Sequence, residues 1–353
     1  MSKFYIDWWL VVPSLLLSIF GLTIIYGTIP RLVSSQGLFI AVAVVAFLLF
    51  TKTDYASLAA LHVPIYVISL LFLLTPFLFG ILSRGAYRWL QFGQFFLQPS
   101  EVAKPFVLLA LANLAVTVDN HKVPILLIAS LIPAVIIFAQ PDLGSALVLL
   151  AGLGIIILSK APGKLFLTLT AIALLLLPLA YYTVLKDYQR DRIQTFLNPY
   201  HDPLGNGYHV IQSIIATGSG GVFGRGLGHG SQSDLRFLPE YHTDFVFASL
   251  SESYGFIGSA LIIVLFLVLF RRIYAISQAV QDEQAAIFCL SVAGLLAFQT
   301  LINIGMNIGI SPVTGITLPL VSYGGSSLLS LGITLGLINN ISSSLKSRSQ
   351  LMV

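Results

Sequence analysis

The chain has 353 residues, of which 57% are hydrophobic and 9% are charged, and its mean hydropathy is +0.92. Soluble domains carry roughly 25% charged residues, so this composition excludes a water-soluble globular protein and indicates a helical membrane protein. The net charge of +4 is expected to report membrane topology and not nucleic-acid binding.

The apolar runs are long enough to cross a bilayer as helices, since about 20 residues span roughly 30 Å of hydrocarbon. We predict an all-α polytopic protein with ten transmembrane helices, forming one domain over residues 1–353 and carrying a long loop of about 186–243 between helices 7 and 8. Asn and Gly residues at 303–309 are expected to break the ninth helix. The predicted spans are 8–28, 37–52, 62–82, 101–118, 123–140, 143–159, 164–185, 244–270, 285–310 and 325–344.

The distribution of Lys and Arg predicts the orientation. An even number of spans puts both termini on one side, and an excess of Lys and Arg marks the cytoplasmic loops. Placing the N-terminus in the cytoplasm puts nine cations inside and three in short outer loops, so both termini are predicted to be cytoplasmic and the long loop external. The inner set is Lys3, Lys52, Lys122, Lys160, Lys164, Arg271, Arg272, Lys346 and Arg348; the outer set is Arg31, Arg84 and Arg88.

The first polar cluster follows the third span and contains Arg88, Ser100, Glu101 and Lys104. Ser100 is a natural N-cap, and Glu101 suits the positive end of a helix dipole. Lys104 shares a helix face with Glu101. The pattern fits either a salt-bridged helix end or a wet, anion-binding cavity, because an unpaired ammonium within an apolar run is expensive.

A second cluster, residues 140–145, contains Asp142 between two spans. This stretch fits a tight turn in which Asp142 caps the next helix. It fits equally a second carboxylate that faces the same cavity as the first cluster.

The long loop has two parts. Residues 190–199, including Arg192, alternate charged and apolar side chains and fit a segment lying along the membrane surface. Residues 218–230, including Arg225, are rich in glycine, which permits positive φ and anion-binding turns of backbone N–H groups. A flexible loop is the alternative interpretation.

Residues 239–244 place Glu240, His242 and Asp244 at the mouth of the eighth span. Ionisable groups there are costly unless they face a cavity or partner, which marks a candidate functional site. An Asp at a helix start also caps helices. His229 and His242 lack metal-ligand spacing, so no metal site is predicted. These clusters indicate an outward-facing polar cavity and do not separate an enzyme from a transporter.

Several stretches, in the same order, resemble the SEDS family (shape, elongation, division and sporulation proteins) along nearly the whole chain. Residues 228–233, leading to residues 237–240, are more similar to the RodA branch than to the FtsW branch. The matching stretches are Arg88-Trp89, residues 98–101 with Lys104, 140–144, Gln212-Ser213, 218–230, 237–245, 312–319 and 322–327.

The resemblance implies a peptidoglycan glycosyltransferase that polymerises lipid II at the outer face of the plasma (inner) membrane for cell elongation and shape. It implies that Asp244 is the catalytic general base. The pattern departs after Glu252, where a second Glu is missing, and this puts a paired-carboxylate role there in doubt. The expected substrate-binding residues are Lys104, Glu101, Arg88, Asp142, Arg192, Arg225, Glu240, His242, Thr243 and Ser322.

The resemblance also implies partners: lipid II, undecaprenyl-pyrophosphate-linked glycan, a class B penicillin-binding transpeptidase and membrane proteins of the elongation complex, with no nucleic acid. No cofactor is implied with certainty, and a divalent cation such as Mg²⁺ or Mn²⁺ stays open. The alternative functions are a lipid II flippase and a non-catalytic scaffold of the elongation or division complex.

Overall fold

A computed structural model describes residues 5–83, 86–93, 95–119, 123–161, 163–164, 167–168, 171, 175, 181–183, 185–205, 207–233 and 237–351. Helices dominate these ranges. They are α1 (Trp8–Thr28), α2 (Val33–Lys52), α3 (Tyr55–Ala60), α4 (His62–Phe79), α5 (Pro99–Thr117), α6 (Val123–Ala139), α7 (Leu143–Lys160), α8 (Asp187–Leu197), α9 (Tyr208–Ser219), α10 (Val246–Ala279), α11 (Glu283–Asn307) and α12 (Gly325–Leu351).

Eight helices in the described part of the chain are long and apolar enough to cross a membrane: α1, α2 with its preceding 3-10 turn, α4, α5, α7, α10, α11 and α12. Helix α6 is apolar but has 17 residues. Nine of the predicted spans therefore correspond to apolar helices. Most of the other one, 164–185, lies outside the described residues, so the count of ten stays a prediction.

A small antiparallel sheet between α4 and α5 was not expected from an all-α chain. Its strands are β1 (Ile81–Ser83), β2 (Ala86–Phe92) and β3 (Phe95–Leu97), in the order β1-β2-β3. Aromatic residues are enriched in strands, because they fit a pleated, half-buried surface. The strands are too short to stand out beside apolar runs of about 20 residues.

The predicted break in the ninth span is wrong. Helix α11 runs without interruption through Asn303 and Gly305 to Asn307. Gly309, two residues beyond its end, has φ +78°, a left-handed conformation that commonly terminates helices. Intact helix geometry carries both Asn side chains into the protein interior, where each is fully buried.

The long loop is folded where the structure describes it. It contains α8, a 3-10 turn at Pro199–His201 and α9. The helix that follows the loop, α10, departs from helical geometry at Gly255, whose φ and ψ are 66° and −161°. This break leaves backbone carbonyl groups of α10 available to the glycine-rich part of the loop.

Glycines bring α12 close to its neighbours. A Cβ atom added at Gly332 would clash with the carbonyl oxygen of Ala43, and one at Gly336 would lie 2.6 Å from that of Phe47. Both carbonyls belong to α2, along which α12 packs. Small residues allow such close backbone approach between membrane helices.

Asp7, just before α1, forms hydrogen bonds with residues of α10 and α12. Its fully buried carboxylate accepts hydrogen bonds from Arg272 Nε at 2.8 Å and from Ser342 Oγ at 2.6 Å. Asn339 Oδ1 accepts a hydrogen bond from the Asp7 backbone N–H at 2.8 Å. The beginning of α1 and the C-terminal half of α12 therefore lie at one end of the helical bundle.

Candidate functional site

Asp244 lies two residues before the start of α10 and is partly buried. The N-cap position belongs to Phe245 and makes no side-chain capping bond, so Asp244 is not at the cap of this helix. Its backbone carbonyl accepts hydrogen bonds from Asn303 Nδ2 at 2.9 Å and Asn307 Nδ2 at 3.1 Å. Helix α11 thus fixes the backbone from which the candidate base projects.

The segment 311–324 lies against Asp244. A Cβ atom added at Gly315, whose φ is +75°, would lie 3.6 Å from Asp244 Oδ2. Arg192 of α8 donates a hydrogen bond to the neighbouring Thr314 carbonyl at 3.1 Å. Thr314, which contacts Arg192, and Gly315, which lies beside the Asp244 carboxylate, are therefore adjacent residues of this segment.

Residues 240–243 form a hydrogen-bonded turn. Thr243 Oγ1 donates to Glu240 Oε2 at 3.0 Å, and Glu240 itself has φ +52°. Ser322 Oγ donates to the Thr243 carbonyl at 2.7 Å and accepts from the Leu318 N–H at 2.8 Å. Three residues predicted to bind substrate, Glu240, Thr243 and Ser322, are therefore in one network beside Asp244.

His242 joins the same network through its backbone and its ring. Its carbonyl accepts a hydrogen bond from the Tyr323 N–H at 2.9 Å. Its ring packs against Tyr241 and Tyr323, with centroid separations of 5.3 and 5.8 Å. The aromatic contacts hold the imidazole on the side of the turn that faces residues 322–326.

Asp142 is the N-cap of α7, which confirms the capping interpretation. Its Oδ1 accepts from the Ser145 N–H at 3.1 Å, and its Oδ2 accepts from Gln98 Nε2 at 2.7 Å. Arg88 of β2 approaches the same carboxylate at 3.9 Å, while its Nε is buried without a hydrogen-bond partner among the described residues. The first two predicted clusters therefore meet at Asp142.

Glu101 and Lys104 form an ion pair on α5, with 2.5 Å between Oε1 and Nζ, and Lys104 is buried. Beside the pair is a cavity of about 20 Å³, which is room for about one water molecule. The salt-bridged arrangement is confirmed. This cavity is too small for a pyrophosphate group, so a substrate-binding role for the pair stays a prediction.

Ser100 does not cap α5. The helix begins at Pro99, with Gln98 at the N-cap and no side-chain capping bond. The Ser100 hydroxyl is buried and has no hydrogen-bond partner among the described residues. Proline favours the first helical position because its missing N–H is not needed there, and the helix therefore starts two residues earlier than predicted.

Arg225 belongs to a second cluster, around Glu252. Its guanidinium donates to the Ser219 carbonyl at 3.0 Å and to Ser231 Oγ at 3.2 Å, and its N–H donates to the Glu252 carbonyl at 2.9 Å. These contacts bind the glycine-rich loop to α10 at the break near Gly255. A stabilising role for Arg225 in the loop follows from this geometry.

Glu252 is a fully buried carboxylate whose partners the sequence did not reveal. Oε1 accepts from the Gln232 N–H at 2.9 Å; Oε2 accepts from the Ser233 N–H at 3.0 Å and from Ser233 Oγ at 2.7 Å. Such bonds to an ionised carboxylate are about twice as strong as neutral ones. Glu252 therefore holds the loop tip against the membrane helices.

His209 of α9 is a further neighbour of the site that sequence reasoning missed. Its ring lies parallel to that of Phe245, with the centroids 6.3 Å apart. Burial lowers the pKa of His209, while the nearby Glu240 charge raises it to a smaller extent. Its position three residues before the Gln212-Ser213 motif is the only sequence signal that pointed to it.

A metal ion would need several ligands close together. Within the ranges given above, no group of three His, Cys, Asp or Glu side chains is arranged to hold one. The described residues therefore do not fit a protein-held divalent cation, and cationic side chains are the candidates for neutralising a bound anion.

A family model for FtsW, RodA and SpoVE, described as cell cycle protein, matches residues 10–347. The chain is 40% identical over 282 residues to peptidoglycan glycosyltransferase MrdB of Escherichia coli K12, covering 78% of this chain and 76% of MrdB. It is 35% identical over 322 residues to the probable peptidoglycan glycosyltransferase FtsW of Geobacter metallireducens, covering 88% and 84% of the two chains.

Two solved structures match the chain along nearly its whole length. A chain from a study of structural coordination of polymerization and crosslinking by a peptidoglycan synthase complex matches with a TM-score of 0.80 and 31% identity, covering 98% of this chain and 99% of that one. The crystal structure of the rod shape determining protein RodA of Thermus thermophilus matches with a TM-score of 0.71 and 28% identity, covering 97% and 98%.

Proposed function

The chain belongs to the FtsW/RodA/SpoVE family of cell cycle proteins, the SEDS family, and from that membership we infer that it is a peptidoglycan glycosyltransferase of the RodA branch. It is a multi-pass membrane protein, as its apolar helices and these relatives require. The proposed mechanism rests on the position of Asp244, which lies beside α11, the segment 311–324 and the turn 240–243.

We propose that Asp244 is the general base of glycan polymerisation. The acceptor is a lipid-linked sugar whose 4-hydroxyl attacks the anomeric carbon of a second sugar carried on a lipid pyrophosphate. A hydroxyl is a poor nucleophile at neutral pH, so a positioned carboxylate that takes its proton accelerates attack by about 10²–10⁴-fold. The backbone bonds from Asn303 and Asn307 support this role, because they restrict where the carboxylate points.

The proposed step is a single displacement. A bond forms between the acceptor oxygen and the anomeric carbon, the bond from that carbon to the phosphate oxygen breaks, and the acceptor proton passes to Asp244. The lipid pyrophosphate leaves with its added negative charge, which cationic groups must stabilise. Arg192, which donates to the carbonyl of Thr314 next to Gly315, is the candidate that the geometry favours. Arg88 approaches Asp142, and Lys104 pairs with Glu101.

We propose lipid II as substrate and an outer-face site, with both termini in the cytoplasm. The cation count of the loops supports this orientation, and the Asp7 contacts with α12 support ends on a common side. A class B penicillin-binding transpeptidase is the proposed partner. The similar chain from a complex that coordinates polymerization and crosslinking supports it.

Purified protein in lipid vesicles, supplied with lipid II, tests the proposal through the length and amount of glycan product. Asp244→Asn and Asp244→Ala should each lose about 10²–10⁴-fold in rate, while both fold as wild type. Asp187→Asn, which removes an exposed carboxylate of α8, is the matched control and should polymerise normally. Wild-type synthesis by both Asp244 variants would remove this residue from the mechanism.

Two additions to the same assay separate the remaining alternatives. Adding a chelator reports whether a divalent cation contributes. Measuring lipid II transfer between leaflets in parallel distinguishes polymerisation from flipping, because a flippase would move lipid II without making polymer.

A further inference from the structure

The sheet between α4 and α5 carries several exposed apolar and aromatic side chains. Leu82, Tyr87 and Phe96 are 63%, 51% and 50% exposed, and Phe92 and Phe95 are 61% and 54% exposed. A register shift between Ile81 and Leu82 interrupts the alternation of side chains along β2, so these residues are not confined to one face of the sheet. None of the five is charged. We call these five residues the exposed sheet surface.

Two residues of β2 contact the protein. Leu90 is buried, and Arg88 approaches Asp142 at the start of α7. An exposed cluster of large apolar and aromatic side chains, such as the one beside them, marks a surface that meets a partner or a membrane.

The position of the sheet along the bundle identifies the membrane as that partner. Helix α4 has 18 residues, so it is about 27 Å long, slightly less than the roughly 30 Å of hydrocarbon that it must cross. Its last residues, Leu78 and Phe79, are highly exposed, as expected for side chains in contact with lipid. Gly80 alone separates Phe79 from β1, so the sheet starts where the hydrocarbon ends.

The edge of the sheet at β1 fixes its depth further. The outer edge of β1 has backbone groups without a strand partner among the described residues, and such groups are not tolerated in the hydrocarbon core. At β3, the Phe96 carbonyl accepts a hydrogen bond from Ser326 Oγ at 3.4 Å. Water can satisfy the β1 edge at the headgroup level, where Trp and Tyr side chains are also enriched. An exposed apolar surface with one open strand edge therefore fits the boundary between headgroups and acyl chains.

We propose that the exposed sheet surface is an interfacial anchor that rests in the outer leaflet of the bilayer and holds β2, and with it Arg88, beside Asp142. Its partner is the lipid surface itself, in continuity with the lipid-facing surface of α4. The proposal depends on the chain being a membrane protein and is independent of the catalytic role of Asp244.

Fluorescent labelling tests this anchor. Cys289, the single cysteine of the sequence, is fully buried, so a cysteine introduced at the surface is labelled selectively. Tyr87→Cys and Phe96→Cys, each carrying a polarity-sensitive fluorophore, are reconstituted in vesicles of phosphatidylethanolamine and phosphatidylglycerol. Quenching by lipids brominated near the headgroup end of the acyl chain is compared with quenching by aqueous iodide.

Two controls bracket the result. Leu78→Cys on the lipid-exposed end of α4 should be quenched by brominated lipid, and Asp187→Cys on α8 by iodide. We expect both sheet positions to show blue-shifted emission and at least half of the bromolipid quenching seen at Leu78. Iodide quenching equal to that at Asp187 would overturn the anchor, as would shielding that appears only when the transpeptidase is added. Retained polymerisation shows that each labelled variant is folded, and Leu82→Cys provides a third position if one variant fails to fold.

Discussion

The side-chain amide of Asn307, at the end of α11, donates a hydrogen bond to the backbone carbonyl of Asp244, with 3.1 Å between nitrogen and oxygen. The Asn307 Oδ1 atom accepts from the Ala248 N–H at 2.8 Å, so one side chain binds both Asp244 and the first turn of α10. Asn303 donates to the same Asp244 carbonyl and to that of Ile316. Helix α11 thereby couples the candidate base to the segment 311–324.

Removing the hydrogen bonds of the Asn307 side chain should reduce catalysis. Asn307→Ala leaves the Asp244 carbonyl with one amide donor from α11 and the Ala248 N–H without its side-chain acceptor. Because buried groups without partners cost about 1–3 kcal/mol each, we expect a loss of stability of that size. Polymerisation should fall by at least tenfold, because a displaced carboxylate loses its alignment with the acceptor hydroxyl.

Asn113→Ala provides the matched control for this prediction. Asn113 is also buried and donates a hydrogen bond from α5 to the Ala59 carbonyl, on α3. Its loss should lower the thermal unfolding midpoint to a similar degree while polymerisation by the folded fraction stays normal. Equal activity losses in the two variants would show that Asn307 contributes to stability alone.

The Glu101–Lys104 pair should behave as a coupled unit. Removing one partner of a buried pair leaves an uncompensated charge and costs about 3–5 kcal/mol, so Lys104→Met and Glu101→Gln should each unfold at lower temperature. The double variant should recover most of that stability. If Lys104 also acts on substrate, the double variant stays weakly active in the lipid II assay.

A double variant that polymerises at the wild-type rate would assign the pair to folding alone. Lys160→Met with Glu283→Gln is the matched comparison, since this pair is exposed and has 2.8 Å between Nζ and Oε1. Such surface pairs contribute at most about 1 kcal/mol, so neither its single nor its double variants should alter stability or activity appreciably.

Glu252→Gln should loosen the glycine-rich loop. The amide of this variant keeps one oxygen as an acceptor and places its NH2 group against the other of the two N–H groups, of Gln232 and Ser233, that now meet carboxylate oxygens. Losing charge-assisted bonds of about 1.5–3 kcal/mol should expose the loop to proteases. Mass spectrometry of limited digests should find faster cleavage near residues 228–238. Digestion at the wild-type rate would mean that the carboxylate does not hold the loop.

The pH dependence of stability should contain a contribution from His209. Its pKa in the folded protein is lowered by burial, so the unfolded chain takes up a proton first as the pH falls below about 6.5. Above that pH the neutral His209 ring makes its full contribution to the free energy of unfolding. This contribution is lost as the pH falls toward the lower pKa that His209 has in the folded protein. Thermal unfolding from pH 7.5 to pH 5 should show a steeper decline for wild type than for His209→Gln.

His201→Gln is the control for this titration, because His201 is an exposed histidine at the end of the 3-10 turn that follows α8. The thermal unfolding midpoint of His201→Gln should decline with falling pH as steeply as that of wild type. A His209→Gln variant with the same slope as wild type would contradict the proposed titration.

The sequence was sufficient for the family and for most of the helices, because both depend on local patterns. Apolar runs of about 20 residues predict membrane spans without knowledge of their neighbours. The motif around Asp244 and those at 98–104 and 140–144 kept family order along the chain. Asp142 as a helix cap was also predictable, since capping involves residues three positions apart.

The environment of each polar side chain was decided by contacts between distant parts of the chain. Asn303 and Asn307 looked like helix-breaking residues in sequence, yet their partners at Asp244 and Ile316 keep them inside an intact helix. Glu252 had no visible partner until the loop tip at 232–233 folded onto it.

Hydrophobic run lengths and short motifs were enough to identify a polytopic membrane protein of the SEDS family with Asp244 as its candidate base, because both are properties of contiguous residues. Only the folded chain reveals that Asp244 precedes the helix cap, that two asparagines of α11 fix its backbone and that a three-stranded sheet forms between α4 and α5. These features depend on hydrogen bonds and strand pairing between residues that the sequence separates, and a buried polar group takes whichever partner the fold brings to it.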